Sequence, residues 1–167
     1  MEEIINKVAN SSLEVFDLED YYPKEILMSL DIAQFLFEGF LLKEKEFRAQ
    51  LKDFNWETYK DSYVALHCST DAILPAWAFM LVTTYLQPVA KKIVQGNLAQ
   101  LKQAIYQDII AKVDFSFYKD KPVIIKGCSK KPIPEEAYVM AVQQMMKHAK
   151  SIMFGEACSA VPMYKRK

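Results

Sequence analysis

Apolar and polar residues change their spacing repeatedly along this chain, and the changes predict a succession of short strands and helices. Leu13 to Leu18 alternates apolar and polar positions as a half-buried strand does, and Pro23 then breaks the chain. Ile26–Leu30 is compatible with strand or helix. From Asp31, the positions Ile32, Phe35, Leu36, Phe40, Phe47, Leu51 and Phe54 fit one face of a long helix with a kink at Gly39. Tyr63–His67 is a continuous apolar run of the kind that sits in the middle of a sheet. Ser69, Thr70 and Asp71 are N-cap residue types, so the next helix is expected to begin within a few residues of Cys68. Beyond Pro88, Leu98, Leu101, Ile105 and Ile109 mark another helix, with Gly96-Asn97 as a stop and restart. Pro122–Lys126 reads as a second central strand. Glu135 and Glu136 open a helix that runs to Ala149, where acidic side chains suit the dipole. Ser151–Phe154 and Ala160–Tyr164 read as two closing strands, and Met1–Ala9 as an amphipathic opening piece.

This alternation predicts one α/β domain over residues 1–167, a small mixed sheet flanked by helices. No internal repeat is read beyond the strand-cysteine-helix units themselves. The uncharged stretch Ala72 to Ala90 needs a decision between a membrane span and a buried helix. Pro75 and Pro88 bracket it, and Thr83, Thr84 and Gln87 dilute it, so it is too short for a bilayer and belongs in a core. The acidic start Met1-Glu2-Glu3 lacks the layout of a signal peptide, and three cysteines in 167 residues give no disulfide framework. A cytoplasmic protein is expected. Lys+Arg and Asp+Glu stand at 21 each, which removes any overall pull toward nucleic acid or anionic lipid.

The candidate chemistry lies in the thiols. Cys68, Cys128 and Cys158 are each followed by serine, and each follows the expected end of a strand or apolar segment. Sheet ends are where α/β proteins gather ligands, and thiolates are preferred by zinc and by iron–sulfur clusters. A shared site of these three cysteines is the leading reading, with zinc or iron/iron–sulfur as cofactor and His67, Asp71 or His148 as the fourth donor. His67 can join Cys68 only where the strand has ended, because neighbouring strand residues face opposite sides; Asp71 escapes that constraint. No Cys-x-x-Cys pair occurs, and the gaps of 60 and 30 residues follow no local zinc spacing. Two alternatives stand beside it. Cys68 before a helix N-terminus suits a nucleophile for sulfur or acyl transfer. Twenty-one aromatic residues and eight methionines suit a non-catalytic adaptor with packed cysteines, or a homodimer seam. Trp56 is the aromatic expected at the surface. Glu38, a carboxylate within FLFEGFLL, has Arg48 as its expected partner. Phosphate loops, dinucleotide glycine fingerprints, Gly-x-Ser-x-Gly and His-Glu-x-x-His are absent.

The segments FLFEGFLLKEKEFR, YVALHCSTDAILPAWAFML, VIIKGC with PIPEEAY, and KSIMFGEACSAVPMYKRK extend over nearly the whole chain. Together they resemble the Bacteroidetes family catalogued as domain of unknown function 2480. That resemblance implies an association with iron–sulfur cluster assembly, and assembly proteins as partners. The balanced charge and the short uncharged stretch add the expectation that neither nucleic acid nor membrane is among them.

Overall fold

The strand-forming runs assemble into two sheets, which a computed structural model describes over residues 12–127 and 130–167. The piece read at Met1–Ala9, together with Cys128 and Ser129, lies outside the described residues. In chain order the elements are β1 (Glu14–Asp17), β2 (Leu27–Asp31), α1 (Glu44–Asp53), β3 (Tyr63–His67), α2 (Ala76–Leu86), β4 (Lys92–Gln95), α3 (Leu98–Lys112), β5 (Pro122–Lys126), α4 (Glu135–Met145), β6 (Ser151–Phe154) and β7 (Val161–Lys165). The class is α/β. Single 3-10 turns stand at Leu18–Tyr21, Ile32–Phe35, Trp56–Tyr59 and Phe115–Tyr118.

Two compact units make up the chain. A continuous unit spans Pro23–Ala104, and a split unit combines Met1–Tyr22 with Ile105–Lys167. The continuous unit holds a parallel sheet in the order β2-β3-β4, with Leu30, Val64 and Leu66 buried in one cluster with Phe47 and Leu51 of α1 and Ala78, Val82 and Leu86 of α2. The split unit holds β1-β5-β6-β7, in which the first three strands are parallel and β7 runs antiparallel on β6. Its core joins Phe16, Val123, Ile125 and Ile152 to Tyr106 of α3 and Ala137, Ala141 and Met145 of α4.

These units are two copies of one design, a repeat longer than the strand-cysteine-helix unit read from the sequence. Residue n of the continuous unit matches residue n + 59 of the split one: β3 with β5, α2 with α4, β4 with β6. The match reaches single atoms. Asp61 and Asp120 both take positive φ, 56° and 59°, and their amides donate to Val89 O and His148 O at 2.9 and 3.0 Å. Pro75 and Pro134 precede the two helices in extended conformation, and Gly96 N and Gly155 N donate to Leu66 O and Ile125 O. Upstream, β1 and β2 each end in an aspartate that caps a 3-10 turn: Asp17 accepts from Glu19 N and Asp31 from Ala33 N. Few identities accompany this agreement, because most positions need only an apolar residue of fitting size.

Three expectations are corrected. The long helix from Asp31 does not form: the 3-10 turn capped by Asp31 ends at Phe35, Glu38 and Gly39 take φ of 49° and 77° to reverse the chain, and α1 starts at Glu44. Phe40 is therefore exposed on a turn. Lys92–Gln95 is a strand where a helical approach was read; only Ile93 and Val94 in it are apolar, too few for a period. Finally, α2 starts at Ala76 behind Pro75, so a loop separates it from Cys68. The start of α3 is as the Gly96-Asn97 signal implied, fixed by a reciprocal capping box between Asn97 and Gln100 at 2.9 and 3.0 Å.

Candidate functional site at the ends of the parallel strands

In the continuous unit, the chain leaves β3 through His67-Cys68-Ser69-Thr70-Asp71. Asp31, opposite His67 in the register of β2 and β3, organises this exit. Its carboxylate accepts from Ala33 N and Ser69 N, each at 3.0 Å, and from the Ser69 hydroxyl. Burial acts to raise the Asp31 carboxyl, but the Ser69 hydroxyl, the Ala33 and Ser69 amides and the charge of His67 together hold it below its ordinary value. The Thr70 hydroxyl donates to Gly39 O at 2.6 Å and lies 3.4 Å from Cys68 Sγ. Thr70 has one hydroxyl hydrogen and spends it on Gly39, so the Cys68 thiol is the donor of the second contact. Cys68 is half-buried against the core of its unit, while Asp71 is exposed. β3 continues through His67, so successive side chains alternate: His67 lies beside Asp31 and Cys68 packs on the helical side. α2 starts eight residues after Cys68, behind the loop that ends at Pro75.

A pH response follows from Asp31. Its folded carboxyl lies below the unfolded value, so its contribution is complete above that value and disappears as pH falls through the folded one. Asp31→Asn is expected to lower the thermal midpoint at pH about 6 and to lower it by less at pH about 3, nearer the range in which the folded carboxyl takes up its proton. Parallel melts at the two pH values check this; a constant difference contradicts it.

The split unit repeats the arrangement with other chemistry. Asp17 is opposite Lys126 in the register of β1 and β5, and Lys126 Nζ lies 3.5 Å from Asp17 Oδ2 and 3.9 Å from Glu156 Oε1. The position matching Cys68 is Gly127, and a Cβ there would collide with the Tyr138 hydroxyl. Phe79 stands in place of Tyr138 in the continuous unit and has no hydroxyl, which leaves room for the Cys68 side chain. The cysteine that follows β5 in the sequence is one residue further on, at Cys128. The returning chain is tied back at Lys131, whose amide donates to Glu19 Oε1 at 3.2 Å.

Cys158 sits exposed in the turn between β6 and β7. Gly155 N donates to Ile125 O at 3.2 Å, which fixes the start of that turn on the end of β5. Ser159 N donates to Glu156 O at 2.9 Å and closes it. His148 follows α4, and its carbonyl is engaged by Asp120 N and Arg166. Among the described residues, no three histidine, cysteine or acidic side chains gather at one point, and Cys128 is not among them. Glu38 is exposed, and Arg48 pairs with Glu44 at 3.0 Å instead. Trp56 is half-buried, stacked on Tyr85 at 5.2 Å and donating to Leu51 O. Asp17, Asp31, Lys126 and Glu156 were passed over in the sequence, although aspartate closing two successive strands was a visible signal.

A duplicated, largely parallel β-α-β unit with polar and thiol groups beyond the strand ends is the class that fold and site define. The chain belongs to the family described as "Protein of unknown function (DUF2480)", which it matches over residues 2–166. No curated protein and no solved structure matches it. Among the described residues, no helix is long and apolar enough to cross a membrane.

Proposed function

We propose that this protein is an accessory factor that holds a thiophilic metal, zinc or iron/iron–sulfur, on Cys128 and Cys158 of the split unit. One observation carries the reading: β5 and β6 are adjacent parallel strands, and the Gly155–Ile125 bond fastens the turn that bears Cys158 to the strand end from which Cys128 follows two residues later. Two thiols and the Glu156 carboxylate form a donor set that suits zinc or iron. Lys126 at the end of β5 lies between the Asp17 and Glu156 carboxylates. Closed structural zinc sites use four protein ligands, whereas three leave a position open to water or to a donor from a client. An open position suits a protein that passes its metal on, and the association with iron–sulfur cluster assembly that the family resemblance implies agrees with that role. Cys68, packed and donating to Thr70, is assigned a structural part.

Alkylation under non-denaturing conditions tests the assignment. In protein loaded with zinc, Cys128 and Cys158 are expected to be protected from iodoacetamide and to react after chelation, as read by peptide mass spectrometry. Cys68 is expected to react slowly in both states. Equal rates at Cys128 and Cys158 with and without metal contradict the proposal.

A further inference from the structure

The two copies differ at one sheet edge. In the split unit the outer edge of β6 is covered by β7, antiparallel, with Ile152 opposite Tyr164 and Phe154 opposite Val161. β7 does three things there. Its backbone completes the hydrogen bonding of β6. Met163 closes the side of an apolar groove of 440 Å³ between α4 and β6, lined also by Ile125, Tyr138, Val139, Val142 and Phe154. Arg166 locks its end: the backbone N–H donates to Lys150 O at 2.8 Å, and the guanidinium donates to Asp120 Oδ1 at 2.7 Å and to His148 O at 2.8 Å.

Among the described residues, the continuous unit has every part of this receptor without the occupant. β4 pairs only with β3 among the described residues, and Gly96 N points to β3, so by alternation the Ile93 and Gln95 amides point to the outer edge. The matching groove is lined by Leu66, Phe79, Met80, Thr83, Ile93 and Gln95; it measures 650 Å³, and among the described residues no counterpart of Met163 closes it. Met80 is 67% exposed in it. The acceptors that hold Arg166 also recur, as the Asp61 carboxylate, Val89 O and Lys91 O. Asp61 has the backbone conformation of Asp120 and the same bond to Val89 O. Among the described residues, no hydrogen bond or ion pair reaches the Asp61 carboxylate. Lys91 acts on it only through its field, since its ammonium group is bonded to Glu25 at 3.1 Å.

We propose that the outer edge of β4 docks an extended, antiparallel segment of a partner polypeptide that carries a large apolar side chain and, three residues later, an arginine. β7 of the split unit displays that pattern as Met163 and Arg166. The apolar side chain fills the groove beside Met80 and Ile93, the arginine meets Asp61, and main-chain bonds to Ile93 and Gln95 fix the direction. The carboxylate selects a basic partner, and the short edge limits docking to a few residues.

The probe is a fluorescein-labelled peptide with the sequence of residues 159–167, SAVPMYKRK, titrated into the full-length protein and followed by anisotropy. Saturable binding of one peptide per chain is expected. Met80→Glu should weaken it by about tenfold or more, since a carboxylate then faces the apolar side chain. Asp61→Asn, which keeps a residue tolerant of positive φ, should weaken it by about threefold, the scale of an exposed ion pair. A peptide with glutamate for its arginine should bind less well to the parent but no differently to Asp61→Asn. Val139→Glu, in the groove already closed by β7, should leave binding unchanged, and thermal melts confirm that each variant is folded. Absence of saturable binding, or binding indifferent to Met80→Glu and Asp61→Asn, overturns the proposal. So does a dimer in sedimentation that Met80→Glu converts to monomer, which would give the edge to a second copy.

Discussion

Cys158→Ser is expected to abolish metal retention while leaving a folded protein. The substitution changes volume little and falls on an exposed turn, so the thermal midpoint should move by less than about 0.5 kcal/mol of equivalent stability. Serine is a poor ligand for a thiophilic ion, and a site with two thiols that loses one retains too few strong donors. Cys128→Ser should have the same effect. Cys68→Ser should leave metal content unchanged, since Cys68 packs against the core of its own unit and its hydrogen goes to Thr70. Metal per chain across the three variants is the measurement. Retention in both Cys128→Ser and Cys158→Ser would remove the thiols from any metal role, and loss in Cys68→Ser would restore the three-cysteine site read from the sequence.

The second large effect is on stability. Phe47→Ala in α1 should destabilise the continuous unit by about 3–5 kcal/mol, because the ring is fully buried and meets Phe35 and Trp77 edge-on at 6.3 and 6.1 Å. Native domains have only about 5–15 kcal/mol in hand. The duplicate position in the split unit is Tyr106, whose hydroxyl donates to Leu18 O at 3.0 Å; burial raises its ionisation well above the usual range. Tyr106→Phe removes only that bond and should cost about 1 kcal/mol, since Phe47 already fills the equivalent space with a bare ring. Urea denaturation followed by aromatic fluorescence checks both, and a Phe47→Ala loss below about 1 kcal/mol would contradict the packing described.

Much of the fold could be read from local pattern. β3 and β5 are short, uninterrupted apolar runs in the middle of their parallel strands, and Pro134 with Glu135 and Glu136 marked the start of α4. The failures have one common cause, in that apolar spacing does not say which element supplies each residue. Ile32 and Phe35 come from a 3-10 turn, Leu36 from its extended C-cap, Phe40 from a reversal and Phe47 and Leu51 from α1, yet together they imitate a single helical face. The duplication was hidden for a related reason. Its shared residues are scattered: Tyr59-Lys60-Asp61 with Tyr118-Lys119-Asp120, Pro75 with Pro134 and Gly96 with Gly155 mark turns, while Val64 with Val123, Ala78 with Ala137 and Ile93 with Ile152 are isolated apolar positions. The cysteines, the most conspicuous landmark, obscure the frame: the Tyr138 hydroxyl displaces Cys128 by one residue from the position of Cys68. Aligning the two Cys-Ser pairs therefore puts every strand and helix out of step.

That displacement also separates the two units in chemistry. The continuous unit pairs His67 with Asp31 and bears one packed thiol, while the split unit pairs Lys126 with Asp17 and has two cysteines in its sequence, of which Cys158 lies on the turn after β6. In this account the split unit carries the metal and the continuous unit offers its open edge to a partner. Duplication makes such a division accessible, because either copy can change its strand-end loops while the shared core remains.

Elemental analysis of the full chain, purified without oxygen and without an affinity tag that supplies metal, tests the central claim most directly. The account predicts about one zinc, or about two or more iron atoms, per chain, lost on chelation and regained on adding the metal alone. A chain that carries less than about a tenth of an equivalent of any transition metal, and takes up none when incubated anaerobically with zinc or ferrous iron, would contradict it.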